Sequence, residues 1–133
     1  MRRRMSEPRR GAAAVELALL LPLLLFLFVI AVDFSRVFYY SQTITNCAKN
    51  GALYGSNLTT DISPYANLQA AALADAQSLS PQPTVASSTG TDAAGNNSIQ
   101  VTVTWPFQSI TGFPGMPSAL DLSRTVQMRV APN

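Results

Sequence analysis

The feature that most constrains this chain is an apolar run from Ala12 to Val32, 21 residues in which Glu16 carries the only charge. From Leu17 to Val32 every side chain is apolar. As an α-helix rising about 1.5 Å per residue, such a run spans roughly 31 Å, the thickness of the hydrocarbon core of a bilayer. A core helix of a soluble protein is usually shorter and has a polar face. The run therefore predicts a single transmembrane helix, which we place at residues 12–36.

A cleavable secretory signal peptide is the alternative interpretation of a basic N-terminus followed by an apolar run. Its apolar region would extend over about 7–15 residues and end at a site of the type small-x-small. The run in this chain is longer, and it is followed by Asp33-Phe34-Ser35-Arg36, which offers no such site. The length and the flanking sequence favour the membrane span.

Positive charge is concentrated before the apolar run. Residues 1–10 contain five arginines and one acidic residue, whereas residues 37–133 contain three basic and four acidic residues. Basic arms bind nucleic acids or anionic membranes, but arginines next to a membrane span are explained by the positive-inside rule. We therefore expect residues 1–11 to be a basic cytoplasmic leader, residues 37–133 to be an extracytoplasmic domain, and no nucleic acid among the partners.

The composition argues against an enzyme. The chain of 133 residues has no histidine and one cysteine, Cys47, so a histidine-dependent triad, a Cys/His zinc site and an internal disulfide have no residues to form them. The carboxylates outside the apolar run are scattered along the chain, the only lysine is Lys49, and no glycine-rich phosphate loop is present. We expect no catalytic, cofactor or metal site, and Cys47 to be a small buried apolar residue.

The helix is predicted to continue beyond the membrane to about Ser56. Residues of one face recur at intervals of three and four, which indicates that this face packs against the rest of the domain: Phe34, Val37, Phe38, Ile44, Cys47, Ala48, Gly51, Ala52 and Tyr54. Ala48/Ala52 and Gly51/Gly55 leave one side nearly bare, so another backbone can approach closely, either that of the protein's own sheet, which we favour, or that of a second subunit. Asp33 and Arg36 share a helix face as an ion pair that we expect to be solvated, next to an interfacial belt of aromatic residues: Phe34, Phe38, Tyr39 and Tyr40.

The remainder of the chain predicts one more helix and a small antiparallel sheet. Ser63-Pro64 is a plausible start for a helix over about 64–79. The strands are expected at 84–87, 98–105 and 120–130, with a turn-rich loop at 89–97 and a connection at 106–117 in which Phe107, Ile110 and Phe113 pack back. The fold class is thus α+β, with a long N-terminal transmembrane helix continuing into a small external domain.

The first third of the chain resembles a known family. The sequence Arg9-Arg10-Gly11-Ala12-Ala13-Ala14-Val15-Glu16-Leu17, the leucine run, and Asp33-Phe34-Ser35-Arg36 together resemble the N-terminus of TadE-like proteins, which are pilin-related proteins of the tight-adherence (Flp-type) pilus assembly system. The segment Ser41–Ala52, which ends in a Gly-Ala pair, is also similar to the family. The resemblance covers about residues 9–55 and is weak beyond them.

The resemblance implies a prepilin-type processing site. Cleavage after Gly11 would make Ala12 the first and Glu16 the fifth residue of the mature chain, and the new amine would pair with the Glu16 carboxylate of a neighbouring subunit. In a low dielectric that pairing offsets the desolvation of both groups. The departures from the family pattern are Leu17, where prepilins often have Phe, and the short basic leader. Pro22 is either a tolerated transmembrane proline or a weak point that lets the helix leave the bilayer and enter a filament.

Two functions follow as expectations. The first is a non-catalytic pilus assembly or secretion component of the bacterial inner membrane with a periplasmic C-terminal domain, either a minor pilin-like (pseudopilin) subunit that primes a filament or a static membrane factor. Its implied partners are the lipid bilayer, other pilus or secretion-system membrane proteins or pilin-like subunits, and prepilin peptidase, and its candidate assembly residues are Glu16, Pro22, Asp33, Arg36, Gly51 and Gly55. The second is a single-pass, membrane-tethered binding module for a periplasmic or surface ligand.

Overall fold

The computed structural model describes residues 10–56, 64–112, 115 and 117–131. Two helices, α1 and α2, precede three strands, β1 to β3, and a short 3-10 turn, Ala74–Ala76, follows α2. The bounds of these elements are α1 Arg10–Gly55, α2 Leu68–Leu73, β1 Thr84–Thr91, β2 Asn97–Gln108 and β3 Ala119–Arg129. The predicted α+β class, with a long apolar helix, a short second helix and an antiparallel sheet, is confirmed.

Helix α1 is 46 residues long and has two different halves. Residues 11–29 are exposed throughout although nearly all of them are apolar, and the helix is long and apolar enough to cross a membrane. Leucine and alanine dominate this half and are strong helix formers, so the helix continues through Pro22. From Asp33 onward one face of α1 is covered by the rest of the protein.

The core lies between the second half of α1 and one face of the sheet. On the helix, residues spaced by three and four have no exposed surface: Ile44, Cys47, Ala48 and Ala52. On β2, the buried residues alternate as expected for a strand with one covered face: Ile99, Val101, Val103, Trp105 and Phe107. The predicted contact face of α1 is therefore fully buried from Ile44 onward and partly buried at Val37, whereas Phe34 and Phe38 of the same predicted face are exposed.

The three strands form an antiparallel sheet in the order β1-β2-β3. Strand β2 extends to Gln108, so the prediction that it ends at Trp105 and that a connection begins at Pro106 is wrong. Strand β1 covers β2 only as far as the Thr84–Thr104 pair. Beyond Thr104, β2 pairs with β3 alone, and a proline is tolerated on such a free edge because it has no N–H to donate.

The expected loop at 89–97 is shorter in the structure. Strand β1 continues to Thr91, so only residues 92–96 form the turn to β2. Asp92 accepts hydrogen bonds from the backbone N–H of Ala94 (2.9 Å) and of Asn96 (2.8 Å), and Gly95 has a positive φ of 81°. Backbone N–H groups of this turn are hydrogen-bonded within the turn, so a short turn is sufficient. Strand β1 can therefore extend into residues that the sequence predicts to be a loop.

The second helix is shorter than the expected 64–79 at both ends, since α2 ends at Leu73 and the 3-10 turn after it ends at Ala76. It begins at Leu68, because Asn67 has an extended backbone and its Oδ1 accepts a hydrogen bond from the backbone N–H of Ala70 at 2.8 Å. Asparagine is among the best N-cap residues, so the helix starts one residue after it. The expected cap Ser63 lies outside the described residues.

Of the residues expected to pack back from the connection at 106–117, Phe107 is buried in the core and Ile110 is exposed. Phe113 lies outside the described residues.

Strand β2 runs alongside α1 in the opposite direction. Gly55 of α1 is next to Ile99, and Gly51 is next to Val101. At the other end, Arg36 contacts Gln108, the last residue of β2. The residues that directly follow β2 therefore lie beside the point where α1 leaves its apolar run.

Candidate functional site at the membrane-proximal end of the sheet

Asp33 is the first residue after the apolar run, and its side chain is only 1% exposed. Ser109 donates to its Oδ2 at 2.6 Å, and the hydroxyl of Thr111 donates to the same oxygen. The backbone N–H of Thr111 donates to Oδ2 at 3.1 Å, and that of Ile110 to Oδ1 at 3.3 Å. We call this set, together with Arg36, the Asp33 clasp.

The donors explain how a carboxylate can be buried here. A buried charge is costly unless it is paired and hydrogen-bonded. The Asp33 oxygens accept hydrogen bonds from residues 109–111 and also form an ion pair with Arg36. Arg36 lies 3.1 Å from Oδ1, so the predicted ion pair on one helix face is present. The expectation that this pair is solvated is wrong for Asp33, because residues 109–111, which we call the loop after β2, cover it. The sequence shows hydroxyl residues in this loop, but their contact with Asp33 depends on the packing of β2 against α1.

Arg36 connects the clasp to the end of β2. Its guanidinium donates to the backbone oxygen of Gln108 at 3.3 Å, and it lies 5.0 Å from the ring centre of Phe107 and 5.8 Å from that of Tyr40. The Tyr40 and Trp105 rings are 4.7 Å apart at their centres. The same side chain thus interacts with a carboxylate, a strand end and an aromatic cluster, which fixes the end of the sheet on the helix.

The residues of the expected processing site lie on the first turns of α1. Gly11, Ala12 and Glu16 are exposed, and a Cβ at Gly11 would meet no atom within 4 Å. Residues 1–9 of the basic leader lie outside the described part of the chain. At about 1.5 Å per residue, Glu16 is roughly 25 Å along the helix from Asp33, so the structure does not bring these candidate residues together.

The bare side of α1 is occupied by the protein's own domain. A Cβ at Gly51 would lie 3.0 Å from the Cβ of Ala72 and 3.1 Å from Val101, and one at Gly55 would lie 2.3 Å from Ile99. The small residues therefore allow α2 and the sheet to approach the helix backbone closely.

Cys47 is a free, fully buried thiol in this contact. Burial, and then the negative charge of Asp75, raise the pKa of the Cys47 thiol to about 11. Such a thiol is protonated and unreactive near neutral pH. Among the described residues, no group of three or more potential metal ligands occurs.

Comparison with known proteins gave one match. The family model for TadE-like proteins matches residues 11–53, about a third of the chain, and this confirms the resemblance that the N-terminal motifs predict. No curated protein and no solved structure matches the chain. The matched segment begins at the expected processing site and includes both the exposed and the packed half of α1. Helix α1 is thus similar to TadE-like proteins over most of its length.

Proposed function

We propose that the protein is a non-catalytic, membrane-anchored subunit of Tad pilus assembly, a minor pilin-like (pseudopilin) component of the bacterial inner membrane. In this proposal residues 1–11 are a cytoplasmic leader, residues 12–36 span the bilayer, and residues 37–133 form a periplasmic domain. Its partners are the lipid bilayer, other pilin-like or secretion-system subunits, and prepilin peptidase.

The observation that carries the proposal is the division of α1 into two halves. One uninterrupted helix has an apolar half with exposed side chains, and a second half built into a small sheet domain. A helix of this kind can remain in lipid, or it can pack against the helices of other subunits, without a change in the domain it supports. The TadE-like match extends over both halves.

The proposal includes two chemical features, which are proteolytic cleavage after Gly11 and an ion pair made by Glu16. Gly11 and Ala12 lie in the first turn of α1, where backbone N–H groups have no partner inside the helix, so little structure must open for a peptidase to reach the bond. Cleavage would create an amine at Ala12. Glu16 is the only charged side chain between Ala12 and Val32, and it would pair with that amine on a neighbouring subunit.

The first test is the N-terminal mass of the protein isolated from membranes and from sheared filaments. The proposal expects a mature chain that begins at Ala12 in both fractions. An intact N-terminus at Met1 or Arg2 in the mature protein would contradict processing.

The second test compares Glu16→Gln with Glu16→Asp in cells that assemble pili. Loss of the charge in Glu16→Gln should reduce assembly at least roughly tenfold, while Glu16→Asp should retain most of it, because a carboxylate can still pair with the amine. Normal assembly with Glu16→Gln, combined with loss of adhesion when the loop after β2 is changed, would favour the membrane-tethered binding module.

A further inference from the structure

Ile110 is an exposed apolar residue held in a fixed position. Its side chain is 73% exposed, yet its backbone N–H donates to Asp33. The residues on both sides of it, Ser109 and Thr111, also donate to the Asp33 carboxylate. A single exposed isoleucine is ordinary on a protein surface, but one whose backbone is anchored on both sides has a defined location relative to α1.

Ile110 lies at the position along the α1 axis where the apolar run ends. Asp33 directly follows Val32, the last residue of the run, and all three loop residues bond to its carboxylate. Arg36, which holds the end of β2, is only three residues further along the helix, or about 4.5 Å. Ile110 therefore lies beside the end of the apolar run, whatever the tilt of the helix.

Exposed aromatic residues lie on α1 within about one and a half turns after Asp33. Phe34 is 62% exposed and Phe38 is 67% exposed, and their spacing of four residues places them on one helix face. The Asp33–Arg36 ion pair has no net charge, so the clasp adds no net charge next to these exposed apolar side chains. An apolar surface of this kind at the end of a membrane span suits the headgroup region of a bilayer.

We propose that the loop after β2 is a second membrane contact, in which Ile110 inserts into the interfacial region of the outer leaflet while the Asp33 clasp holds it there. This inference rests on the membrane anchorage of the proposed function. With α1 and the loop both in contact with lipid, the tilt of α1 relative to the bilayer is restricted, and the side of the sheet domain that carries Ile110 faces the membrane.

The test measures the depth of three labels in the full-length protein reconstituted into phosphatidylcholine–phosphatidylglycerol vesicles. Single cysteines are introduced as Leu24→Cys in the apolar run, Ile110→Cys in the loop and Ser88→Cys on the exposed strand β1, and each is labelled with an environment-sensitive fluorophore. Cys47 is buried and should stay unlabelled, which also verifies that each variant is folded. The quenchers are lipids that carry a spin label near the headgroup or deep in the acyl chain.

The proposal expects the Ile110 label to be quenched strongly by the shallow quencher, the Leu24 label by the deep quencher, and the Ser88 label by neither. Adding Asp33→Asn to the Ile110→Cys variant should reduce shallow quenching at least roughly twofold, because weaker hydrogen bonds release the loop from the helix, and adding it to the Leu24→Cys variant should leave deep quenching unchanged. Asp121→Asn, on the exposed side of β3, is the matched control and should change neither signal.

The other outcomes separate the two claims. An unquenched Ile110 label beside a quenched Leu24 label overturns the second membrane contact and leaves the anchorage intact. Equal quenching of the Ser88 and Ile110 labels also overturns it, because the whole domain would then lie on the bilayer. An unquenched Leu24 label overturns the anchorage and, with it, this inference.

Discussion

Asp33 links the apolar helix to the sheet, although a single carboxylate next to a membrane span would ordinarily be expected to face water. Its burial is tolerated because two hydroxyl groups, two backbone N–H groups and Arg36 surround it. The pattern Asp33–Arg36 in the sequence predicts the ion pair, but it does not predict the donors, which come from residues more than 70 positions away. Long-range contacts of this kind depend on the register of β2 along α1.

Replacing Asp33 by Asn should loosen the loop after β2. The substitution keeps the shape of the side chain, but it removes the charge that strengthens every hydrogen bond in the clasp. We expect cleavage in the loop by a nonspecific protease, in detergent micelles, to become roughly tenfold faster, because the loop opens more often. Asp121→Asn is the control, and an unchanged cleavage rate for Asp33→Asn would show that the clasp does not hold the loop.

Cys47 should react only after the domain opens. Its pKa of about 11 and its complete burial predict alkylation at pH 7.5 at least about 100-fold slower than that of an introduced cysteine at Ser88. Because the folded protein holds the Cys47 proton more tightly than the unfolded chain, this residue also makes the fold less stable as the pH rises above about 8.5. Mass spectrometry of iodoacetamide-treated protein, with and without urea, measures both rates, and equal rates would mean that Cys47 is accessible in the folded protein.

At the scale of elements, periodicity in the sequence is enough to predict α1, β2 and β3 in outline. The apolar run and the alternation of Ile99, Val101, Val103 and Trp105 are long, regular signals. The ends of elements were harder to predict, because they depend on local hydrogen bonds and on neighbours. Asn67 starts α2 later than Ser63-Pro64 suggests, and pairing with β3 carries β2 through Pro106.

The close approach of α1 to the sheet predicts a cost for a larger residue at Gly55. A methyl group there would lie 2.3 Å from Ile99 and 2.9 Å from Leu68, so these side chains would have to move within the core. We expect Gly55→Ala to lower the free energy of unfolding by about 1–2 kcal/mol, measured by urea denaturation in micelles. Gly90→Ala, where a methyl group would meet nothing within 4 Å, should change it by less than about 0.5 kcal/mol. Equal stability of the two variants would contradict the observed packing of α1.

At the scale of the whole molecule, the protein consists of a membrane-compatible helix and a small domain assembled on the same helix. The far end of the sheet is also attached to α1, since the backbone N–H of Ala131 donates to the backbone oxygen of Ser56 at 2.9 Å. This bond and the Asp33 clasp attach the sheet to α1 at both ends of the helix half that packs against it. Movement of α1 would therefore carry the sheet with it, as the proposed pilin-like role requires.

The most direct test of this account is the membrane topology of Ser88→Cys, labelled with a membrane-impermeant maleimide. If α1 spans the inner membrane with its N-terminus in the cytoplasm, the cysteine should react in spheroplasts and should not react in sealed inverted vesicles, and the labelled protein should remain in the membrane after a carbonate wash. Reaction only in inverted vesicles, or release of the protein by carbonate, would contradict the central claim.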